Sequence, residues 1–196
     1  MPPAASPAEP DPNTALLPRT SLQAWPAQPP RLPFGAMSWT LLSLGSSTGE
    51  TLRQWRDDIR RMVPMPPASI VRIAPDALDG WLADLPAWFA EEAAGHVVGW
   101  RVAATGEEHA VLAVAEAARN AGLLPSELVL HAETWERRQV YCPICAVITA
   151  ADCAATDTVR CAGCGRLLAI QPHLSRRKSA YLGTLATDLS GEVGDA

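Results

Sequence analysis

The chain has 196 residues, 48% of them hydrophobic and 19% charged, with a net charge of −5. That length and balance describe one ordinary globular domain plus a small module. The negative balance gives no global argument for nucleic acid, and no stretch approaches the ~18 uninterrupted apolar residues of a membrane span. The start, Met1-Pro2-Pro3-Ala4-Ala5-Ser6, has neither the basic n-region nor the apolar h-region of a signal peptide. A cytoplasmic protein, with thiols kept reduced and open to metal, is therefore expected.

Residues 1–36 hold 10 of the 18 prolines. Proline fixes φ and removes a donor, so this stretch cannot stay long in a helix or sheet. It reads as a disordered or extended arm with apolar anchors at Leu16, Leu17, Trp25, Leu32 and Phe34. It is either a plain tail or an arm that lies on a partner surface.

Order begins near Met37. Trp39–Leu44 reads as a buried strand, and Gly45–Glu50 as a turn. Leu52, Trp55, Ile59 and Met62 recur at helical spacing up to Pro64. Ile70–Ile73 is a second strand. Asp76 is expected to cap a second helix with Leu78, Trp81, Leu82 and Leu85 on its apolar face, ending near Phe89. Val97–Ala104 is a third strand. Thr105-Gly106-Glu107-Glu108 has capping-box spacing and opens a helix that stops at Gly122. Leu128–His131 is a fourth strand. Alternating strands and helices predict a small four-stranded parallel sheet over 37–135, an α/β fold of Rossmann type.

Parallel sheets take ligands at the carboxyl ends of their strands. The turn Gly45–Gly49 is thus the candidate phosphate cradle, although it matches neither Walker A nor G-x-G-x-x-G. Glu50 behind it would repel a phosphate, which favours an ordinary turn. The stretches Val102–Glu107, Ala121-Gly122-Leu123 and Leu128–Glu133 together resemble the end of the nicotinamide-binding domain of ferredoxin-reductase-type enzymes. The Cys and Pro of that family's turn are missing, so the resemblance implies a reductase-like domain that has lost its cofactor.

The sharpest motif is Cys142-Pro143-Ile144-Cys145 with Cys161-Ala162-Gly163-Cys164, fifteen residues apart. A C-x2-C-x15-C-x2-C pattern has the spacing of a four-thiolate zinc site. Each pair offers two sulfurs across a turn to one edge of a tetrahedron, and four protein ligands leave no open position for catalysis. Cys142, Cys145, Cys161 and Cys164 are the predicted ligands, and residues 138–186 a zinc ribbon with strands at Val147–Thr149 and Leu167–Ile170. The same sulfurs can hold iron. Zinc is preferred because Gly165 follows the second pair while Ala146, not a glycine, follows the first. Two disulfides would need an oxidising compartment. Cys153, between the pairs, reads as a small buried hydrophobe.

From Thr158 to Thr187 the chain carries Arg160, Arg166, Arg176, Arg177 and Lys178 and no acid. A basic tail of this kind suits an acidic protein partner or nucleic acid. His96, His109, His131 and His173 show no metal-binding spacing and no nucleophile motif accompanies them, so no catalytic or cofactor-binding residue is assigned. Residues 187–196 read as a flexible terminus.

The cysteine pairs, followed by His173-Leu174-Ser175-Arg176-Arg177 and Ala180-Tyr181-Leu182-Gly183, resemble the C-terminal domain of the DmmA-like subunit of bacterial dimethylamine monooxygenase. The resemblance implies an accessory subunit of a multi-subunit oxygenase. It implies NADPH electrons passing through a flavin and iron–sulfur reductase subunit to a haem-type catalytic subunit that demethylates dimethylamine. On this reading the chain is a non-catalytic zinc-binding subunit that joins the oxygenase and reductase subunits, with no nucleic acid and no membrane as partner. The alternatives are a rubredoxin-like iron electron carrier and a nucleic-acid-binding ribbon.

Overall fold

The architecture comes from a computed structural model that describes residues 25–152, 157–175 and 177–186. The first unit runs β1 (Ser38–Leu44), α1 (Glu50–Arg60), β2 (Ala68–Ile73), α2 (Leu78–Gly95), β3 (Trp100–Glu107), α3 (Glu108–Asn120) and β4 (Leu128–Thr134). The four strands are all parallel, in the order β2-β1-β3-β4. The α/β fold expected from the alternation is present.

Side chains alternate across the sheet with the period-2 rule of a strand. Trp39, Leu41, Ala103 and Val129 point to one face, where Leu52, Trp55, Ile59 and Met62 of α1 and its end cover them. Leu42, Leu44, Val102 and Ala104 point to the other, beneath Leu85 and Phe89 of α2 and Val111, Val114 and Ala118 of α3. Chain order reverses between β1 and β3, so the switch point of this sheet lies at the ends of those two strands.

Local signals were overridden at three places. Asp76 caps nothing: it lies in a single 3-10 turn, Pro75–Ala77, and α2 starts beyond it without a side-chain cap. That helix runs through Pro86 to Gly95 rather than ending near Phe89. Its continuation is supported by packing, since the Trp88 ring meets Trp81 at a tilt and Phe89 edge-on, with centroids 5.6 and 4.9 Å away. Thr105 is not a cap either. β3 continues to Glu107, and the Thr105 hydroxyl donates to Glu133 Oε1 at 3.0 Å. No helix among the described residues is long and apolar enough to cross a membrane.

The described part of the arm, residues 25–36, is a strap on this domain. Prolines leave carbonyl oxygens without a ladder, and side chains of α1 and β3 take them up. Gln54 Nε2 donates to Pro29 O at 3.2 Å, Trp55 Nε1 to Pro30 O at 2.9 Å, and Arg101 Nη1 to Phe34 O at 3.0 Å. Leu32 is buried, and its N–H and Arg31 both donate to Asp58. Phe34 is 73% exposed, so it is not an anchor for the strap. Leu16, Leu17 and residues 187–196 lie outside the described residues.

The second unit is a five-stranded sheet of β5 (Arg137–Tyr141), β6 (Ile148–Asp152), β7 (Thr158–Arg160), β8 (Leu167–Ser175) and β9 (Ala180–Leu185), ordered β6-β5-β9-β8-β7. The segment read as a basic tail is therefore a hairpin. Its second strand, β9, is the central strand, parallel to β5 and antiparallel to β8.

Glu108, 2% exposed, ties both units and the strap together. It accepts from Trp25 Nε1 at 2.8 Å and from Tyr181 Oη at 3.0 Å, and Arg138 Nη1 lies 3.4 Å away. Arg138 also sits over the Tyr181 ring at 4.7 Å. Burial first, and then the Glu108 charge, push the Tyr181 hydroxyl up to about 12, so it stays a donor. Leu112 of α3 completes the same contact by entering the apolar core of the ribbon. Tyr181→Phe leaves the buried Glu108 carboxylate one charge-assisted bond short. We expect a loss of about 1.5–3 kcal/mol, read from urea unfolding followed by tryptophan fluorescence.

Candidate metal centre

Cys142 and Cys145 lie on the turn from β5 to β6, and Cys161 and Cys164 on the turn from β7 to β8. The two turns are built alike. In the first, Ala146 N–H donates to Cys142 O at 2.9 Å and Cys142 N–H to Val147 O at 3.0 Å. In the second, Gly165 N–H donates to Cys161 O at 2.9 Å and Cys161 N–H to Arg166 O at 2.8 Å. The residue after each second cysteine is left-handed, Ala146 at φ 61° and Gly165 at φ 70°. The sequence difference between Ala146 and Gly165 is thus not a difference in shape, and it gives no ground for preferring zinc over iron.

The turns face each other. All four sulfurs lie within 4.8 Å of one another, with Cys142 Sγ to Cys164 Sγ at 3.8 Å and Cys145 Sγ to Cys161 Sγ at 3.5 Å. A tetrahedron with bonds of roughly 2.3 Å has an edge of about 3.8 Å, so the spacing fits one metal ion. A disulfide needs about 2.05 Å, and the four thiols are free. The approach is close: a Cβ on Gly163 would come within 2.7 Å of Val147 and 3.0 Å of the Cys145 sulfur. Thr149 of β6 links the two turns by accepting from Ala162 N–H at 3.0 Å.

Backbone N–H groups of Cys164 and Gly163 hold the Cys161 thiol down to about 6. The Val147 N–H pulls Cys145 the same way, but desolvation and the other three sulfurs push it up to about 12. Without a cation the thiolate is favoured at Cys161 and disfavoured at Cys145. Cys142 and Cys161 are buried in the ribbon core with Val140, Leu168, Ile170 and Tyr181. Cys153 and Arg176 lie outside the described residues.

No histidine joins this group. His96 stacks on Trp100 at 4.4 Å, His109 is buried in the first turn of α3, His131 lies in β4, and His173 is exposed on β8. Lys178 of the basic hairpin sits 5.1 Å over the Tyr141 ring, and Arg177 is exposed.

At the switch point, the candidate phosphate cradle is filled by the chain's own carboxylates. Glu133 Oε2 accepts from Thr48 N–H at 2.8 Å and Thr48 Oγ1 at 3.1 Å, and its Oε1 from Ser47 Oγ at 3.3 Å. Glu107 Oε1 accepts from Ser46 N–H at 3.2 Å. Burial raises the Glu133 pKa, but the Thr48 N–H and the hydroxyls of Thr51, Thr105 and Thr48 outweigh it and hold the carboxyl below its ordinary value. The sequence shows Glu133, but only the fold places it over a turn 85 residues earlier.

Residues 139–184 match the family described as dimethylamine monooxygenase subunit DmmA-like, C-terminal domain. The resemblance read from the cysteine pairs and the Tyr181 segment therefore holds over that stretch. The chain is also 37% identical over 89 residues to a protein of Ectopseudomonas mendocina (strain ymp) named "Heme-dependent oxidative N-demethylase delta subunit". The match covers 45% of this chain and 50% of the relative, so it spans about half of each. No solved structure matches the chain.

Two outcomes test this geometry. Ala146→Gly relieves a left-handed alanine and should stabilise the metal-loaded protein by about 1 kcal/mol, while Gly165→Ala should cost a similar amount; thermal unfolding of the two variants checks the pair. Glu133 has a lowered folded pKa, so its contribution is complete above the unfolded carboxyl pKa and is lost as pH falls through the folded value. Glu133→Gln should lower the urea midpoint near neutral pH by the equivalent of about 1–3 kcal/mol and flatten the fall in stability on acidification.

Proposed function

We propose that this chain is a non-catalytic, zinc-binding subunit of a multi-subunit haem-dependent oxidative N-demethylase. It holds the catalytic oxygenase and the reductase subunits in one assembly. The observation that carries this reading is the closed four-thiol cluster lying within residues 139–184, the stretch that matches the DmmA-like domain. A site with four protein sulfurs has no position for substrate, and its metal serves folding. The relative's name supplies the oxygenase context, and the family's description supplies dimethylamine as the substrate class. NADPH, flavin, iron–sulfur and haem groups then belong to the partner subunits. The assembly is cytoplasmic on this reading.

The exposed Arg177 and its neighbour Lys178 on the β8–β9 hairpin are the docking charges for an acidic partner surface. An iron tetrathiolate is the second reading. It rests on the same four sulfurs, which suit iron as well as zinc. An iron-loaded subunit would pass electrons rather than only fix structure.

Co-expression with the oxygenase and reductase subunits, followed by pull-down and metal analysis, tests both readings. We expect a colourless protein with one zinc per chain that brings down its partners. A red, reducible chromophore would transfer the site to iron. Cys145→Ser combined with Cys164→Ser should lose both metal and partners. Charge reversal at Arg177 and Lys178 should weaken association while leaving metal content unchanged. Salt-sensitive nucleic-acid binding carried by those residues, with no partner captured, would overturn the assembly role.

A further inference from the structure

Between the strap and the carboxyl end of β4 lies a cleft of about 480 Å³, within the size range of small-ligand sites. The indoles of Trp25 and Trp135 line it, together with Gln54, His131, Glu50 and Glu133. It opens where parallel sheets take their ligands, yet it is built against anions. The backbone donors of the neighbouring turn are used: Thr48 N–H by Glu133, Gly49 N–H by Ser47 Oγ at 3.2 Å and Glu50 N–H by Thr48 Oγ1 at 3.3 Å. The charged side chains of the wall, Glu50 and Glu133, are both acidic.

His131 is 5% exposed, and its Nδ1 has no hydrogen-bond partner. Burial holds the imidazole toward its neutral form, against the nearby Glu133 charge. A neutral ring, two indoles and two carboxylates around one cleft match the demands of an organic cation. Indole faces attract an ammonium or guanidinium group through their quadrupole, and the carboxylates add a net negative field with no lysine or arginine in the wall to oppose it.

We propose that this cleft binds an alkylammonium or guanidinium group, held between Trp25 and Trp135 and neutralised by Glu50 and Glu133. The group belongs either to a free amine or to a Lys or Arg side chain presented by another protein. The site is independent of the thiol cluster.

The test uses the full chain, ¹⁵N-labelled and metal-loaded, with indole N–H resonances as the readout. The probes are tetramethylammonium, butylammonium and guanidinium chlorides, and the N-acetyl amides of lysine and arginine, all at matched ionic strength. We expect saturable millimolar shifts of the Trp25 and Trp135 signals, assigned by Trp→Phe variants. Tighter binding of the blocked amino acids assigns the site to a partner's side chain, and tighter binding of the free ions to a small amine. Trp135 and Glu50 are exposed, so Trp135→Ala and Glu50→Gln leave the fold intact; each should weaken binding about tenfold. Absence of saturation with every cation, shifts unchanged by both variants, or saturable binding of inorganic phosphate in their place would overturn the proposal. Metal content, measured on the same samples, keeps a failure here distinct from a failure of the thiol site.

Discussion

Four sulfurs held within 4.8 Å of each other are the constraint from which the ribbon follows. Thiolates packed that closely repel, and neutral thiols in that position waste buried polar contacts. A divalent cation resolves both problems at once. The ribbon sheet offers few alternatives. Its core holds only a handful of full-sized apolar side chains, and two of its buried members, Cys142 and Cys161, belong to the thiol cluster itself. Metal affinity in small thiolate modules is on the order of 10 kcal/mol, comparable to the whole stability of an ordinary domain. A metal held by these sulfurs would be part of the core rather than an addition to it.

The thiol cluster is joined to the α/β unit by a short physical path. Val140 and Tyr141 of β5 pair with Tyr181 and Leu182 of β9 just ahead of Cys142. Tyr181 then reaches Glu108 at the start of α3, and Glu108 also holds Trp25 of the strap. One buried carboxylate therefore receives hydrogen bonds from three separate parts of the chain. A buried charge missing a partner is expensive, so the three parts gain most when they are all in place.

The sequence shows this fold unevenly. The four strands and three helices of the first unit follow from periodicity, since each buries a regular face. The cysteine turns follow from spacing alone. Boundaries failed where tertiary packing outweighed local chemistry. Asp76 and Thr105 have the side chains of helix caps, but a 3-10 turn absorbs the first and a cross-strand bond to Glu133 takes the second. β9 escaped because Ala180–Leu185 follows a run of basic residues that reads as tail, yet its Tyr181 is 2% exposed. The strap escaped because prolines signal the lack of a ladder, and nothing local reveals that Gln54, Trp55 and Arg101 supply donors to their carbonyls. The carboxylate node and the filled cradle join residues 73 and 85 positions apart, beyond any local pattern.

The filled cradle also explains how a nucleotide-type sheet can serve as a frame. In a sheet of this topology, the free N–H groups at the switch point are what attract a phosphate. Here Glu133 and Glu107 sit on those donors, and a carboxylate competes with phosphate for the same hydrogen bonds and the same positive end of α1. Because both acids are covalently part of the sheet, no ligand concentration is needed to keep the donors satisfied, and the β1–α1 turn is held in one shape. The turn is therefore held without a ligand, and both carboxylates leave negative charge at the strand ends of the crevice.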